Sequence, residues 1–329
     1  MRTRLVTKPP TDRGPFFPSS ARPWRRWGRM TAALIIALLS PSLAVATEVV
    51  ILKSSDIAAY NQAIGGFKAA LPSDVTLSEY DLQGDLEKGR KLARKIRASD
   101  TALVFTAGVK AAKAAQLEIL DIPIIYAMVL DPAKYGLNTS NMTGILLEVP
   151  LERQLALIRP LLTSLPLKRV GALYDPSKTG HVIEEIKRLT KQQGMEFLPA
   201  QVGSERDVPG ALRTLLPSVG ALMLVPDSTV LTDESLRFIL NSSLEARVPA
   251  IGFSREFTKS GALLCLSVNY HDIGRQAGQL ARRILDGQVV LPAKPLAPDR
   301  IETSINLKTA KFLGIDIPKE LESKADEVY

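Results

Sequence analysis

Three aspartates stand directly after short apolar runs of the chain, at points where a β-strand is expected to end. They are Asp131, Asp175 and Asp227. A carboxylate in this position can pair with a ligand ammonium through a charge-assisted hydrogen bond. The alternative is turn chemistry, because Asp131 and Asp175 each precede a proline and Asp-Pro is typical of turns. We therefore expect Asp227 to be the preferred ligand group of the three.

Small and hydroxyl-bearing residues stand between a predicted strand and a predicted helix at two places in the first half of the chain. They are Ser54 and Ser55, and then Thr106, Ala107 and Gly108. Backbone N–H groups and hydroxyls at a helix N-terminus can hold a carboxylate. Ordinary helix capping is the alternative, since Ser and Thr are preferred N-caps. The pattern predicts either a site for a ligand carboxylate or two caps.

Four further candidates follow predicted strands in the second half of the chain: Tyr174, Ser228, Ser254 and Asn269. Tyr174 is the ring that we expect to stack on a ligand, and the other three offer hydroxyl or amide hydrogen bonds. Core packing is the alternative for Tyr174, because aromatic residues make up only 5% of the chain and those in strands usually belong to the core.

Motifs typical of catalysis and of metal binding are incomplete in this sequence. The segment 252–256 has Glu256 where a nucleophile elbow needs its second glycine. The segment 177–179 lacks the glycine that a phosphate-binding loop needs before its lysine. The chain has two histidines and one cysteine, Cys265, which lies in an apolar run and is expected to be a buried strand residue. We expect no catalysis, no metal site and no cofactor.

The first 46 residues predict an export signal. A stretch rich in proline and arginine ends at Arg29, the apolar run 30–39 follows, and Ala44 and Ala46 supply the small side chains that a signal peptidase reads. The apolar run is shorter than the roughly 20 residues that span a bilayer. We expect a signal peptide over 1–46, cleavage before Thr47 and a periplasmic protein.

The net charge of +8 is concentrated in this leader. Eight of the 42 basic residues and one of the 34 acidic residues lie in the first 46 positions, so the remaining chain carries 34 basic and 33 acidic residues. A nucleic-acid-binding surface needs a basic excess. The mature chain has almost none, and no nucleic-acid partner is expected.

Short apolar runs alternate with longer amphipathic stretches from residue 47 onward, which indicates βαβ units and parallel sheets. The first half predicts strands over 49–53, 75–81, 102–106, 122–129 and 142–147, with helices over 58–71, 85–98 and 109–120. The second half predicts strands over 168–174, 196–202, 221–225, 250–253 and 263–268, with helices over 182–193, 208–216 and 233–246. The predicted fold class is α/β: two doubly wound, Rossmann-like domains with parallel sheets. A ligand cleft is expected between them, because open α/β sheets bind ligands at the carboxyl ends of their strands.

The first crossover between the halves is expected over 148–166. Pro150 and Pro166 each remove a backbone donor and restrict the residue before them. We therefore expect this interval to connect the two domains.

Short segments of the chain, taken in order, resemble the substrate-binding proteins of ABC transporters, in the tryptophan/tyrosine-type group. The segments are 122–132, 136–137, 141–144, 170–174, 225–228, 273–278, 284–287, 305–314 and 325–328. The resemblance covers nearly all of 48–329 and implies a fold like that of type I periplasmic binding proteins. It also implies that the helix 272–285 returns to the first domain. The domains are then 47–148 with about 271–290, 149–270, and a crossover strand and tail over 291–329.

The resemblance implies the solute-binding component of an ABC uptake transporter. Such a protein binds a small polar molecule, here an amino acid or a related compound, and closes around it by a hinge motion. A permease in the inner membrane would receive the solute from a monomeric binding protein. The alternative is a periplasmic ligand-sensing subunit for a membrane signalling protein, which only the partner would distinguish.

Overall fold

The computed structural model describes residues 47–329, and the predicted signal peptide over 1–46 lies outside them. Two β-sheets carry the architecture of the described residues, one with five strands and one with seven. Among these residues no helix is both long and apolar enough to cross a bilayer. We call each sheet, with the helices that cover it, a lobe.

The first lobe is built on a fully parallel sheet in the order β2-β1-β3-β4-β5. Its strands are β1 Glu48–Lys53, β2 Thr76–Asp81, β3 Thr101–Ala107, β4 Ile124–Ala127 and β5 Met142–Gly144. The helices between them are α1 Ala58–Ala70, α2 Leu86–Arg97 and α3 Val109–Glu118.

Strand β1 shows why this sheet has helices on both faces. Val49 and Ile51 pack on one side with residues of α1, while Val50 and Leu52 pack on the other with residues of α2 and α3. Successive side chains of a strand point to opposite faces, so a run of four buried apolar residues needs a cover on each side. The continuous apolar run in the sequence therefore encodes a doubly wound sheet.

The second lobe has its strands in the order β12-β11-β10-β9-β8-β6-β7. They are β6 Arg169–Tyr174, β7 Glu196–Gln201, β8 Ala221–Met223, β9 Ala250–Gly252, β10 Leu264–Ser267, β11 Glu302–Ile305 and β12 Glu327–Val328. The α-helices of this half of the chain are α4 Leu151–Ser164, α5 Pro176–Gln192, α6 Val208–Leu215, α7 Asp233–Glu245, α8 Arg255–Lys259, α9 Tyr270–Leu285, α10 Leu307–Leu313 and α11 Lys319–Glu322. Two short 3₁₀ turns lie at Glu205–Asp207 and Leu216–Ser218. Cys265 lies fully buried in β10, as expected for a small hydrophobe.

The α/β class with two largely parallel sheets is confirmed, with one exception in the second sheet. Strand β11 pairs with β10 antiparallel. The chain reaches β11 from the first lobe and therefore enters the sheet in the opposite direction. The tail then adds β12 parallel to β11.

The interval 148–166 contains helix α4, which the sequence did not predict. Pro150 precedes the first helical residue, where its missing N–H costs nothing, and its carbonyl accepts from the N–H groups of Arg153 and Gln154. The apolar face of α4, with Leu155 and Ile158, packs into the core of the second lobe. Pro160 lies inside the helix on its exposed side. The crossover is thus confined to the residues before α4.

Helix α9 follows the last parallel strand of the second lobe but packs on the first. Its Ile273 and Ala277 share an apolar cluster with Phe67 of α1. A Cβ on Gly66 of α1 would lie 1.9 Å from the carbonyl oxygen of His271, and a Cβ on Gly274 would lie 1.7 Å from that of Ala63. The two helix backbones therefore touch, and only glycine allows this approach.

The chain passes between the lobes three times. The first passage follows β5, the second lies between β10 and α9, and the third precedes β11. Leu296 forms a bridge with Ile145 and exchanges backbone hydrogen bonds with Gly144 and Leu146, so the first and third passages start from one hydrogen-bonded unit.

Candidate ligand-binding site

A cavity of about 810 Å³ lies between the lobes at the three passages. Leu147, Glu148 and Val149 of the first passage line it, as do Val268 and Asn269 of the second. Glu302, at the start of β11, lines it beside the third. The volume lies in the range of pockets that enclose small molecules.

Aromatic rings form part of the apolar wall. Phe253 and Phe257 of the second lobe meet edge to face, with ring centroids 5.0 Å apart and planes at 74°. Tyr270, the first residue of α9, is 37% exposed, and Leu130 of the first lobe is 53% exposed. Large apolar side chains exposed on a concave surface indicate that a ligand covers them.

Asp131 and His181 face each other across the cavity, one from each lobe. Asp131 uses Oδ1 to accept the backbone N–H of Lys134, which closes the Asp-Pro turn expected from the sequence. Its Oδ2 lies 3.8 Å from Nε2 of His181 on α5. Asp131 is therefore both a turn residue and a cavity residue.

Glu148 is a lining carboxylate with a raised pKa. Its side chain is still exposed in the open cavity, but crowding of the carboxyl by protein atoms raises its pKa above the ordinary value of 4.5, and the Asp131 charge nearby raises it further. The backbone of Asp131 and the nearby His181 act in the opposite direction without cancelling the effect. A carboxylate with this environment gains from a positive partner.

Ser254 and Asn269 line the cavity and also begin helices. Ser254 Oγ accepts the N–H of Glu256 at 3.3 Å at the start of α8, which leaves its hydroxyl proton free to donate. Asn269 caps α9 by accepting the N–H of His271 at 2.9 Å, and its Nδ2 donates to Glu302 at 2.9 Å. Each combines a structural hydrogen bond with a position on the wall.

Asp227, which the sequence analysis favoured as a ligand group, does not line the cavity. It is 1% exposed, and its Oδ2 accepts the N–H of Asp175 at 2.8 Å and the hydroxyl of Thr179. Its Oδ1 accepts the N–H groups of Thr229 and Val230 at 2.9 and 3.2 Å. These four donors tie together the loops after β6 and β8.

Asp175 belongs to the same network and also lies away from the cavity wall. Its carboxylate caps α5 by accepting from the N–H and hydroxyl of Ser177, and it accepts the hydroxyl of Thr229 at 2.7 Å. The hydrogen bonds from Thr229 and Ser177 hold the pKa of the Asp175 carboxyl below its ordinary value. The turn interpretation thus describes its observed contacts.

Tyr174 and Ser228 do not line the cavity either. Tyr174 is buried in β6, and its hydroxyl accepts from Nε2 of Gln201 at 2.9 Å. Ser228 is exposed on the loop after β8. The stacking ring expected of Tyr174 is instead offered by Phe253, Phe257 and Tyr270.

The five candidates after β1 and β3 come together, yet none of them lines the cavity. Ser54 donates its N–H to the carbonyl of Ala107 at 2.9 Å, and its Oγ accepts the N–H of Ala111 at 3.0 Å. Gly108 has φ +89°, and a Cβ there would lie 2.6 Å from the Tyr60 ring. The N-terminus of α3 is therefore capped by Ser54 and covered by Tyr60.

The other members of that group are held within the first lobe. Thr106 is fully buried, with its hydroxyl donating to the carbonyl of Ile125 at 3.4 Å. Ser55 is half-buried, and its carbonyl accepts the N–H of Ile57. The capping alternative, rather than a site for a ligand carboxylate, describes their observed contacts. Among residues 47–329, no group of three or more His, Cys, Asp or Glu side chains is arranged to hold a metal ion.

Sequence reasoning missed several residues of the wall, notably Glu148, His181, Phe257 and Glu302. Two of them could have been found from their place in the chain, because Glu148 precedes Pro150 at the first passage and Glu302 follows the third. Polar residues at such passages lie at the base of an interlobe cleft. Phe257 and His181 carry no such signal, since both lie on helices.

The match to known families decides what kind of protein has this cavity. Residues 44–329 match the family of ABC transporter substrate binding proteins. The chain belongs to this family. The resemblance seen in the short segments of the sequence is thereby confirmed, and the architecture is that of type I periplasmic binding proteins.

Individual relatives are distant in sequence. The chain is 25% identical over 250 residues to the tyrosine-binding protein of Clostridioides difficile strain R20291, covering 74% of this chain and 71% of that protein. A ligand-free, open structure of a substrate binding protein with adhesive properties from Clostridium difficile aligns with a TM-score of 0.74 at 22% identity, covering 86% and 99% of the two chains. An ABC domain of Streptococcus pneumoniae in complex with L-Trp aligns at 0.60 with the same identity and coverage. These structures share the fold.

Proposed function

We propose that the protein is the solute-binding component of an ABC uptake transporter and that it holds an amino acid or a related amine in the cavity between its lobes. The observation that carries this proposal is the cavity of about 810 Å³, which receives side chains from both lobes and from the passages between them. A solute at this position contacts both lobes at once. Its binding energy therefore favours the arrangement in which the lobes close.

The proposed ligand residues are those that line the cavity and have a polar or aromatic group to offer. Asp131, Ser254 and Asn269 remain from the sequence-based candidates, and Glu148 and Tyr270 join them. Carboxylates would hold the solute ammonium through charge-assisted hydrogen bonds. The rings would cover its apolar part.

The relatives support an amine-bearing solute. One is named as a tyrosine-binding protein, and another was solved with L-Trp. In this proposal the leader over 1–46 exports the chain to the periplasm, and an inner-membrane permease accepts the solute from the closed form. Catalysis has no place in this account.

Thermal unfolding of the purified protein against a panel of amino acids, amines, sugars and purines tests the proposal. A solute that binds only the folded state raises the unfolding midpoint by mass action, and at a concentration 100 times its Kd the gain is about 2.7 kcal/mol. We expect a rise with amines of one class. No rise with any solute at millimolar concentration would contradict it.

A matched pair of variants ties the effect to the cavity. Tyr270→Ala removes a ring from the wall and should weaken the rise. Tyr80→Ala removes a ring of similar exposure, 41%, from the edge strand β2 and should leave it unchanged. Equal effects of the two variants would place the solute elsewhere.

A further inference from the structure

The cavity wall carries an excess of negative charge. The wall has more acidic than basic residues. The acidic ones are Asp131, Glu148, Glu185, Glu256 and Glu302, and the basic ones are Arg255 and His181. We infer that the cavity selects a solute of net positive charge, an organic amine with more ammonium than carboxylate groups, over a zwitterionic amino acid. This inference rests on the proposed function, because it specifies the class of solute for the same site.

Two of the five acids are already neutralised by basic neighbours. Glu185 accepts from Nε of Arg188 at 2.8 Å, and Glu256 accepts from Nζ of Lys259 at 2.9 Å. In each pair the two residues lie about one turn apart on an accessible face of their helix, where such ion pairs are common. These two acids therefore add little to the field inside the cavity.

The other three carboxylates lack such compensation. In the described part of the chain, no lysine or arginine nitrogen lies within 4.0 Å of Asp131, Glu148 or Glu302. Asp131 has only His181 at 3.8 Å, and Glu302 has only the neutral amide of Asn269. A closing cleft removes these carboxylates from water, and the hydrogen bonds that they accept from neutral groups replace only part of the lost solvation. A positive solute would supply the missing charge when the lobes close.

A solute carboxylate finds no free cation in the same wall. Arg255 is the one guanidinium among the described lining residues, and it is already engaged. Its Nη1 lies 3.1 Å from Glu327 and its Nε lies 3.9 Å from Glu256. A carboxylate entering the cavity would meet three uncompensated negative groups, which repel it. Zwitterions should therefore bind less well than cations of the same size.

The aromatic wall fits the same class. Phe253, Phe257 and Tyr270 present rings to the cavity, and ring faces attract cations. An amine with an aromatic or aliphatic body can place its apolar part on these rings and its ammonium toward Glu148. This combination of rings and unpaired acids distinguishes the site from a purely apolar pocket.

The test uses isothermal titration calorimetry on the purified protein to compare three probes that share the same phenol ring but differ in charge. Tyrosine is zwitterionic and tyramine carries a single positive charge. Tyrosine amide also carries a single positive charge in mildly acidic buffer, which keeps its ammonium protonated although the adjacent carbonyl acidifies it. We expect the two cations to bind at least about tenfold more tightly than tyrosine, a preference that shrinks in 0.5 M salt because ions screen charge. Lysine and cadaverine, with net charges of one and two, form a second series in which cadaverine should bind more tightly.

Two variants locate the effect. Glu148→Gln removes one uncompensated charge at constant shape and should reduce the preference for tyramine over tyrosine at least threefold. Glu184→Gln removes a charge from the outer side of α5, where Glu184 pairs with Lys187 at 2.7 Å, and should leave the preference unchanged.

Results other than these would contradict either the charge inference, the role of Glu148 or the proposed function. Tyrosine binding as tightly as its amide, or a neutral or acidic solute of the wider panel binding where the cations fail, would overturn the charge inference and leave the proposed function standing. An equal effect of the two glutamate variants would overturn the role of Glu148. No binding by any solute, charged or neutral, would overturn the proposed function as well.

Discussion

The backbone N–H of Asp175 donates a 2.8 Å hydrogen bond to Oδ2 of Asp227, 52 positions further along the chain. Asp227 in turn accepts from Thr179, Thr229 and Val230. One buried carboxylate thus fixes the loops at the carboxyl ends of β6 and β8. Those loops approach the cavity without contributing these two acids to its wall.

Replacing Asp227 should affect stability first. Asp227→Ala leaves four donors unsatisfied in a site from which water is excluded, and each unsatisfied group carries a desolvation penalty. We expect a loss of about 2–4 kcal/mol in the free energy of unfolding of the ligand-free protein, measured by urea denaturation. Ser228→Ala, next to it and exposed, should change stability by less than about 0.5 kcal/mol. Unchanged stability with lost solute binding would instead make Asp227 a ligand residue.

The contact between α1 and α9 predicts a large difference between two neighbouring glycines. Gly66→Ala would place a Cβ 1.9 Å from the carbonyl oxygen of His271, so the helices must separate. We expect a loss of roughly 3 kcal/mol or more. Gly65→Ala meets only the His271 ring, at 4.0 Å, and should stabilise the helix by about 0.5–1 kcal/mol. Circular dichroism during thermal unfolding measures both, and similar midpoints for the two variants would contradict the close packing.

The titration of Glu148 predicts a stability difference that depends on pH. Because partial desolvation of its carboxyl by the surrounding protein raises its pKa, the folded protein binds this proton more readily than the unfolded chain. Its stabilising contribution is therefore fully present below the ordinary value of 4.5 and is lost as pH rises through the raised pKa. Glu148→Gln should be more stable than the natural protein at neutral pH, and the gain should vanish in acid.

Glu185 provides a comparison of opposite sign. The hydrogen bonds from Arg188 lower the pKa of its carboxyl, so its contribution is present above 4.5 and is lost as pH falls through the lowered pKa. Glu185→Gln should therefore be less stable than the natural protein at neutral pH, with the gap closing in acid. Unfolding midpoints between pH 3 and 8 measure both variants without ligand. If both variants changed the stability at neutral pH in the same direction, the opposite pKa shifts of Glu148 and Glu185 would be contradicted.

Local patterns were sufficient to predict most strands and helices. The predicted strand 49–53 and helix 58–71 differ from β1 and α1 by one residue at one end each. Helix α4 was not predicted because Pro150 and Pro166 assigned the interval 148–166 to the crossover, whereas Pro150 precedes the first helical residue and Pro166 lies beyond the last, Ser164. The antiparallel pairing of β11 depends on the direction from which the chain returns, which no local pattern records.

The residues predicted for the site and those of the cavity wall overlap only in part. Of the residues that follow predicted strands, Asp131, Ser254 and Asn269 line the cavity, and their role in binding stays a prediction. Which strand-end acids face it depends on contacts between distant loops, as the bond between Asp175 and Asp227 shows. His181 reaches Asp131 only because the lobes face each other. Such pairings follow from tertiary structure and not from spacing along the chain.

The central claim is that a solute in the cavity joins the two lobes, and a distance between the lobes tests it most directly. The native Cys265 is fully buried, and burial raises the pKa of its thiol to about 11, so it should not react with a spin label. Labels on Lys91→Cys in α2 and Lys191→Cys in α5 occupy exposed positions on the first and second lobes. With the tightest-binding solute of the panel, we predict that the distance distribution from pulsed electron paramagnetic resonance shifts and narrows. An unchanged distribution under saturating solute would contradict the account.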